Sequence, residues 1–462
     1  MSPRRRFALI LAGTLLLAAC GGSDEASDST EASVATTDGT TTTVVAPTTS
    51  PPTTVPATTA PPTTDAPATT ATVPPTTEPV EPEPGMPTVD EVDPDGRLSA
   101  AALELLTLFD GKKFPSAATD DGVTNGPLFV ELASVSAVPS VTAAALDGAR
   151  RTHCFYDEND CAFLTQDTID VLVSHLTLET DPGVVLSALA FADPVMSRTS
   201  VHDEAFADQV FGVVVALGTA SDDPRLDRAV IGALGTQGFY PGGPAFRGSA
   251  ELDGFFQASI ASADEHLAYT ALNAVNMGNP DDFPDSDNFY GVVTAQLDDP
   301  SVIVRGAALD ALSSFAVYVD DDDPRWAELF DIADSARSDP DPWIRRWALK
   351  IWASLDDLST IQTIVADHLD DGAVAEINMT QQRYDGTEVT GGVAYGSVSL
   401  AALEVITTLT RGTDFEFDIS EYEFERGADA PPIGEQVGEQ AVPDARAWFA
   451  ANEAAIAAAA SG

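Results

Sequence analysis

Lysine is nearly absent: Lys112, Lys113 and Lys350 are the only three in 462 residues. Lys and Arg together number 22 against 73 Asp and Glu, a formal net charge of −51. That leaves no basic face of useful size and excludes a nucleic-acid binder that works by phosphate neutralisation. It argues equally against adhesion to anionic lipid head groups through side chains. Cysteine is scarce, at three residues, and aromatic residues are missing altogether from 21 to 96. No Gly-x-Ser-x-Gly, P-loop, dinucleotide glycine motif or His-Glu-x-x-His pair occurs, and the five His are scattered. No catalytic set, metal site or cofactor is therefore expected. What is present is an ordinary apolar fraction, 44%, so the acidity sits on surfaces and in linkers and does not displace a core.

The first twenty residues carry an address. Arg4, Arg5 and Arg6 precede a short apolar run from Phe7 to Leu17, too short for a stable bilayer span. The run ends in Leu17-Ala18-Ala19-Cys20-Gly21, which resembles a bacterial lipobox. The resemblance implies cleavage before Cys20, lipidation of Cys20, and a protein held on the outer side of the cell membrane by its acyl chains. Removing residues 1–19 deletes three Arg, so the mature charge is −51 − 3 = −54.

Residues 20–97 are dominated by Thr, Pro, Ala and Val and cannot bury enough apolar surface to offset backbone ordering. They read as a disordered stalk. At its end, Glu91 to Ser99 resembles half of an EF-hand or dockerin calcium loop, with Asp93 and Asp95 at ligand spacing and Gly96 at the turn. The twelfth position is Ala102, so the segment reads as a helix start capped by Ser99. Acidic runs such as 281–287 and 320–323 are open to loose calcium ligation, but solvated loops and N-caps are the favoured reading.

From Leu98 to Gly462, Ala, Leu and Val recur at helical spacing, punctuated by Asp-Pro pairs that open helices, with Asp as N-cap and Pro at the first helical position. Asp299-Pro300 through Arg305, Ala308-Leu309 and Leu312 aligns with Asp339-Pro340 through Arg345, Ala348-Leu349 and Trp352 at a constant offset of 40. Asp181-Pro182 repeats the pattern, and weaker copies lie at Ala145, Ile231, Ala271 and Ala402. The series resembles the HEAT-repeat family, including its phycocyanobilin-lyase-like bacterial branch. The resemblance implies an all-α fold, a HEAT-like α-solenoid of about seven helix pairs. Ala308 and Ala348 then allow close helix approach, and Leu309, Leu349 and Trp352 fill the layer between units. The Arg305 and Arg345 stems cover the core edge and their heads meet acidic groups at neighbouring helix ends, while Lys350 is exposed. Leu409 to Asp418, followed by Trp448-Phe449, resembles the tail of exported HEAT-like proteins, which implies a capping terminal helix with both aromatics as plugs.

Cys154 and Cys161, an even pair in an exported chain, read as a disulfide; His153 raises a metal site as the alternative, and free thiols are the third. Two loops are long for such a fold, 238–251 and 372–396, and the second is compatible with a short hairpin. Their aromatics, Phe239, Tyr240, Phe246, Tyr384 and Tyr395, are the candidate interface. The function expected is a lipid-anchored scaffold at the cell envelope that binds an envelope or extracellular protein. The alternative implied by the resemblance is an envelope enzyme or enzyme subunit of the lyase type.

Overall fold

Thr88 starts the first described helix with a capping box: its hydroxyl accepts from the Glu91 amide, and the Glu91 carboxylate accepts from the Thr88 amide in return. The computed structural model describes residues 86–114, 125–152, 164–197, 204–238, 250–275, 286–320, 322–424, 431 and 433–461. Helix α1 (Val89–Val92) is followed by α2 (Ala100–Leu106), which Ser99 caps by accepting the Ala102 amide at 3.2 Å. The residues resembling a calcium half-loop serve the fold. The Asp93 carboxylate accepts the Arg97 and Leu98 amides at 2.8 Å each, Gly96 adopts φ +66°, and Val92 is fully buried. Helical structure is thus present before Leu98, and Val92 contributes to the core.

Seven helix pairs follow. They are α3 (Gly126–Val135) with α4 (Pro139–Arg151), α5 (Gln166–Ser174) with α6 (Pro182–Ser197), and α7 (Glu204–Ala220) with α8 (Pro224–Gly238). Next come α9 (Ala250–Ile260) with α10 (Glu265–Val275), α11 (Ser286–Ala295) with α12 (Val302–Ala316), and α13 (Pro324–Ala336) with α14 (Pro342–Leu355). The last pair is α15 (Ile361–Asp367) with α16 (Val398–Thr410), and α17 (Ile433–Ala460) ends the chain. Each even-numbered helix packs on its own partner and on the even helix of the next unit, from α4 through to α16. The odd helices form a second, more loosely joined layer. This two-layer stack is a HEAT-like α-solenoid, and the unpaired face of its last unit is covered by α17.

The even helices are small-residue rich because they are enclosed. In α12, Ala307, Ala308, Leu309, Ala311 and Leu312 are all buried, and α14 buries Trp343, Trp347, Ala348, Leu349 and Trp352. Gly306 lets α14 approach: a Cβ there would overlap the Trp343 indole nitrogen. Trp352 is 1% exposed, 6.0 Å from the Phe330 ring and 5.7 Å from the Arg337 guanidinium carbon. Lys350 departs from expectation. It is half-buried, its Nζ sits 5.1 Å from the Trp347 ring centroid, and desolvation pulls its pKa down. The cause is its place between helices: α12, α14 and α16 bring Asp310, Arg346 and Glu404 around it.

Asp-Pro pairs also act differently in different units. Asp323-Pro324 and Asp341-Pro342 are N-cap and first helical residue. Asp299-Pro300 and Asp339-Pro340 lie just before the helix, where each Asp carboxylate accepts the amide two residues on. Arg305 and Arg345 then cap these loops, each donating through Nη1 to the Asp and Pro carbonyls of its own pair at 2.8 to 3.1 Å. Arg345 also reaches an acid of the next unit, Asp371, at 2.7 Å.

At the C-terminal end, Trp448 Nε1 donates to the Phe415 carbonyl at 3.0 Å, and its ring lies 5.4 Å from Phe417. Phe449 packs half-buried against the core beside it. Among the described residues no helix is long and apolar enough to cross a membrane.

Candidate functional site

Between α15 and α16 the chain leaves the helical stack as an antiparallel hairpin, β1 (Val374–Gln382) and β2 (Glu388–Ser397). It is longer than the aromatic- and glycine-rich stretch of the sequence suggests, because 374–382 supplies the whole first strand. The turn is local chemistry. Asp385 accepts the Thr387 amide at 3.0 Å, and Gly386 takes φ +83°, a region costly for other residues. Along β1 burial alternates. Ala375 and Ile377 are buried and Met379 half-buried, while Glu376, Asn378 and Thr380 are exposed.

The buried face of β1 lies on α14, and its end reaches α8, three even helices away. Nine strand residues at about 3.3 Å each cover about 30 Å, and three interhelical steps at about 9 Å come to about 27 Å. The hairpin is thus long enough to strap four units together. At its tip, Arg228 Nη2 donates to the Gln382 carbonyl at 2.5 Å, and Arg225 Nη1 donates to the Gln382 side chain at 3.3 Å.

A polar cleft of about 460 Å³ opens where the strap meets the first turns of α8 and α10. Asp222 and Asp223 line it from just before α8, Arg225 and Arg228 from α8, Asp264 from just before α10, His266 from α10, and Thr380 to Gln382 from β1. Its charges are mostly spent on one another. Arg225 folds onto Asp223 at 2.6 Å and holds that carboxyl below the usual range. The Arg228 side chain, 9% exposed, pairs with Asp264 at 3.1 Å, and the same Asp264 oxygen accepts the Leu267 amide as a helix cap. Behind the cleft, Asp227 occupies the place in its unit that Arg345 holds in the α14 unit, four residues after the N-terminal Asp. Burial, with Asp223 and Asp222 adding to it, raises its pKa to about 6. The arrangement offers a partner hydrogen-bond donors and acceptors. Among the described residues no group of three or more His, Cys, Asp or Glu could hold a metal ion.

The sequence-derived candidates fall in different places. Cys20, Cys154, Cys161, Phe239, Tyr240 and Phe246 lie outside the described residues. Tyr384 sits in the hairpin turn, half-buried against the core, and Tyr395 lies in β2 with its side chain outside the described set. Arg305, Ala308, Leu309, Arg345, Ala348, Leu349 and Trp352 belong to the packed units and not to the cleft. Arg225, Arg228, Asp264 and Gln382 were not singled out by sequence. Asp264 carried a weak signal, a polar residue just before an apolar-periodic run. Nothing local links Arg228 to a residue 154 positions on.

No family model matches the chain, and no curated protein matches it. Among solved structures it is similar to a designed armadillo repeat protein at 14% identity and TM-score 0.36, over 50% of this chain and 99% of that one. It is also similar to importin beta in a crystal structure, at 14% identity and TM-score 0.41, over 64% of this chain and 38% of that one. An engineered protein matches at 12% identity and TM-score 0.31, over 62% of this chain and 78% of that one. The chain therefore spans well under half the length of the importin beta chain.

Proposed function

We propose that this chain is an envelope lipoprotein whose solenoid serves as a protein-binding scaffold outside the cytoplasm. The observation that carries the reading is the hairpin: a surface element that runs from α14 to α8 and borders a polar cleft most of whose charged groups are paired with each other. Such a site presents hydrogen-bonding groups to a partner and activates nothing. The anchor is the acylated Cys20, and the Thr/Pro stalk is a spacer that at about 3.1 Å per residue reaches on the order of 200 Å. Cys154 and Cys161 close a short disulfide loop in that oxidising compartment.

Cys20→Ser should move the protein from the membrane pellet to the soluble fraction; retention in the pellet after salt and carbonate washing would refute the anchor. Non-reducing mass spectrometry should find a peptide spanning Cys154 and Cys161 lighter by two hydrogens, and labelling of both as free thiols would refute the bridge. The scaffold reading is tested by crosslinking the full chain in envelope extract. A defined protein should be recovered with wild type, and equal recovery with an unrelated acidic lipoprotein would overturn the reading.

A further inference from the structure

The outer edge of β2 is an unpaired strand edge, and its hydrogen-bond phase can be read from the hairpin turn. The Arg383 amide donates to the Thr387 carbonyl at 2.7 Å, so that pair is hydrogen-bonded. By the alternation of antiparallel ladders, Gln382–Glu388, Thr380–Thr390 and Asn378–Gly392 are non-hydrogen-bonded pairs whose peptide groups point away from the partner strand. Two contacts agree. The Thr380 and Thr390 hydroxyls meet at 3.0 Å, as side chains of a close pair do, and the Gln382 carbonyl turns outward to accept from Arg228.

The two edges are not equivalent. The β1 edge borders the cleft and is tied at Gln382. On the β2 edge, Glu388, Thr390 and Gly392 are exposed, and β1 is the only strand partner of β2 among the described residues. Glycine weakens a strand, and the fold gives no reason for Gly391, since a Cβ there would meet nothing within 4 Å. The segment 388–394 carries neither Lys nor Pro, the usual guards of a free edge. Its guard is negative charge. Glu376, Asp385 and Glu388 stand against Arg383 on the hairpin, −3 + 1 = −2, on a chain of net charge −51. That charge repels a second copy of the chain and attracts a cationic strand.

We propose that the Glu388–Gly392 edge of β2 docks a lysine- or arginine-bearing extended segment of a partner protein by strand addition. Thr390 supplies an outward donor and acceptor at the middle of the edge, and Glu388 pairs with a basic side chain on the exposed face. This inference rests on the scaffold reading and names the chemistry of its partner.

The test uses the full chain in detergent and a fluorescent octapeptide of alternating Lys and Thr, at about 0.1 M salt where the Debye length is about 10 Å. The peptide should bind, its all-Glu counterpart should not, and alternate backbone N-methylation should weaken it at least tenfold. Thr390→Pro removes an outward amide that the hairpin ladder does not use and should also weaken binding at least tenfold. Asn378→Pro, outside the cleft and opposite Gly392, makes the same change on the other edge and should leave affinity within twofold. Equal binding of the N-methylated peptide would mean charge alone and overturn the proposal, and it involves no change to the protein. Loss with Asn378→Pro in place of Thr390→Pro, or sedimentation as a dimer that Thr390→Pro dissolves, would overturn it too. If the peptide fails while envelope crosslinking still recovers a partner with both variants, strand addition is wrong and the scaffold reading stands.

Discussion

Gly306 and Gly232 both sit inside even-layer helices, and alanine should affect them in opposite directions. At Gly232 a Cβ meets nothing within 4 Å, so Gly232→Ala should raise stability by up to about 1 kcal/mol through helix propensity. At Gly306 the added carbon would overlap the buried Trp343 indole, and overpacking of this kind costs about 1–3 kcal/mol, more than the propensity gain. Denaturant midpoints of the two variants should move apart; movement in the same direction would mean that α12 and α14 do not meet at this glycine. Ala348, fully buried, belongs to the same class of site, so Ala348→Leu should also destabilise by about 1–3 kcal/mol. Its neutral control is the same substitution at the exposed Ala327 of α13, not a change at the half-buried Lys350.

Asp227 makes a separate prediction at this scale. Its folded-state pKa, raised to about 6 chiefly by burial, lies above the ordinary 3.8. Between pH 4 and 6 the folded chain therefore holds this proton more tightly than the unfolded chain. The group's contribution falls as pH rises through that window, and the charged form is a net liability at neutral pH. Asp227→Asn should raise the melting midpoint more at pH 7.5 than at pH 4.5. His368, buried and without a hydrogen-bond partner at either ring nitrogen among the described residues, acts in the opposite sense. Desolvation lowers its pKa, so its contribution is lost as pH falls below about 6.5.

At the scale of elements, α17 is a lid whose fastening is Trp448. Trp448→Ala removes the hydrogen bond to the Phe415 carbonyl and the contact with Phe417. Full burial of such a ring would cost about 3–5 kcal/mol to undo, and a half-buried one should fall at or below the lower end. The loss is local, because a solenoid unit contacts only its neighbours. Amides of α16 and α17 should exchange faster with solvent while those of α4 and α6 do not change. Uniform acceleration along the chain would show that the stack unfolds as one cooperative block. The hairpin is the exception to nearest-neighbour contact, since Arg228 joins it to Asp264 and to a unit far along the chain.

For the whole molecule, charge sets the response to salt. The ion pairs among the described residues are mostly at the surface, and with 73 acidic against 22 basic residues most carboxylates have no cation to pair with. Screening should relieve more repulsion than it removes attraction. The melting midpoint is expected to rise between 10 mM and 0.5 M sodium chloride, roughly one Debye length of 30 Å shrinking to well under 10 Å. A fall would mean that pairs such as Arg345–Asp371 dominate the balance.

The repeat was legible because its signals are local: Ala-Leu pairs about every 40 residues, Asp-Pro stops, and an aromatic pair near the end. Each needs only a few turns of helix to be meaningful, and the helix pairing, the burial of Ala308 and Ala348, and the docking of Trp448 follow from that periodicity. The tertiary structure alone decided where those units lend surface to something else. Asp-Pro reads identically at 299 and 341, yet only the second caps a helix: Asp299, like Asp339, accepts the amide two residues on, before its helix begins. Lys350 looks like a solvated helix residue until α12 and α16 close around it. The cleft joins Arg228 to Gln382 across 154 residues. No local periodicity encodes that distance; it is set by the rise of a strand against the spacing of stacked helices.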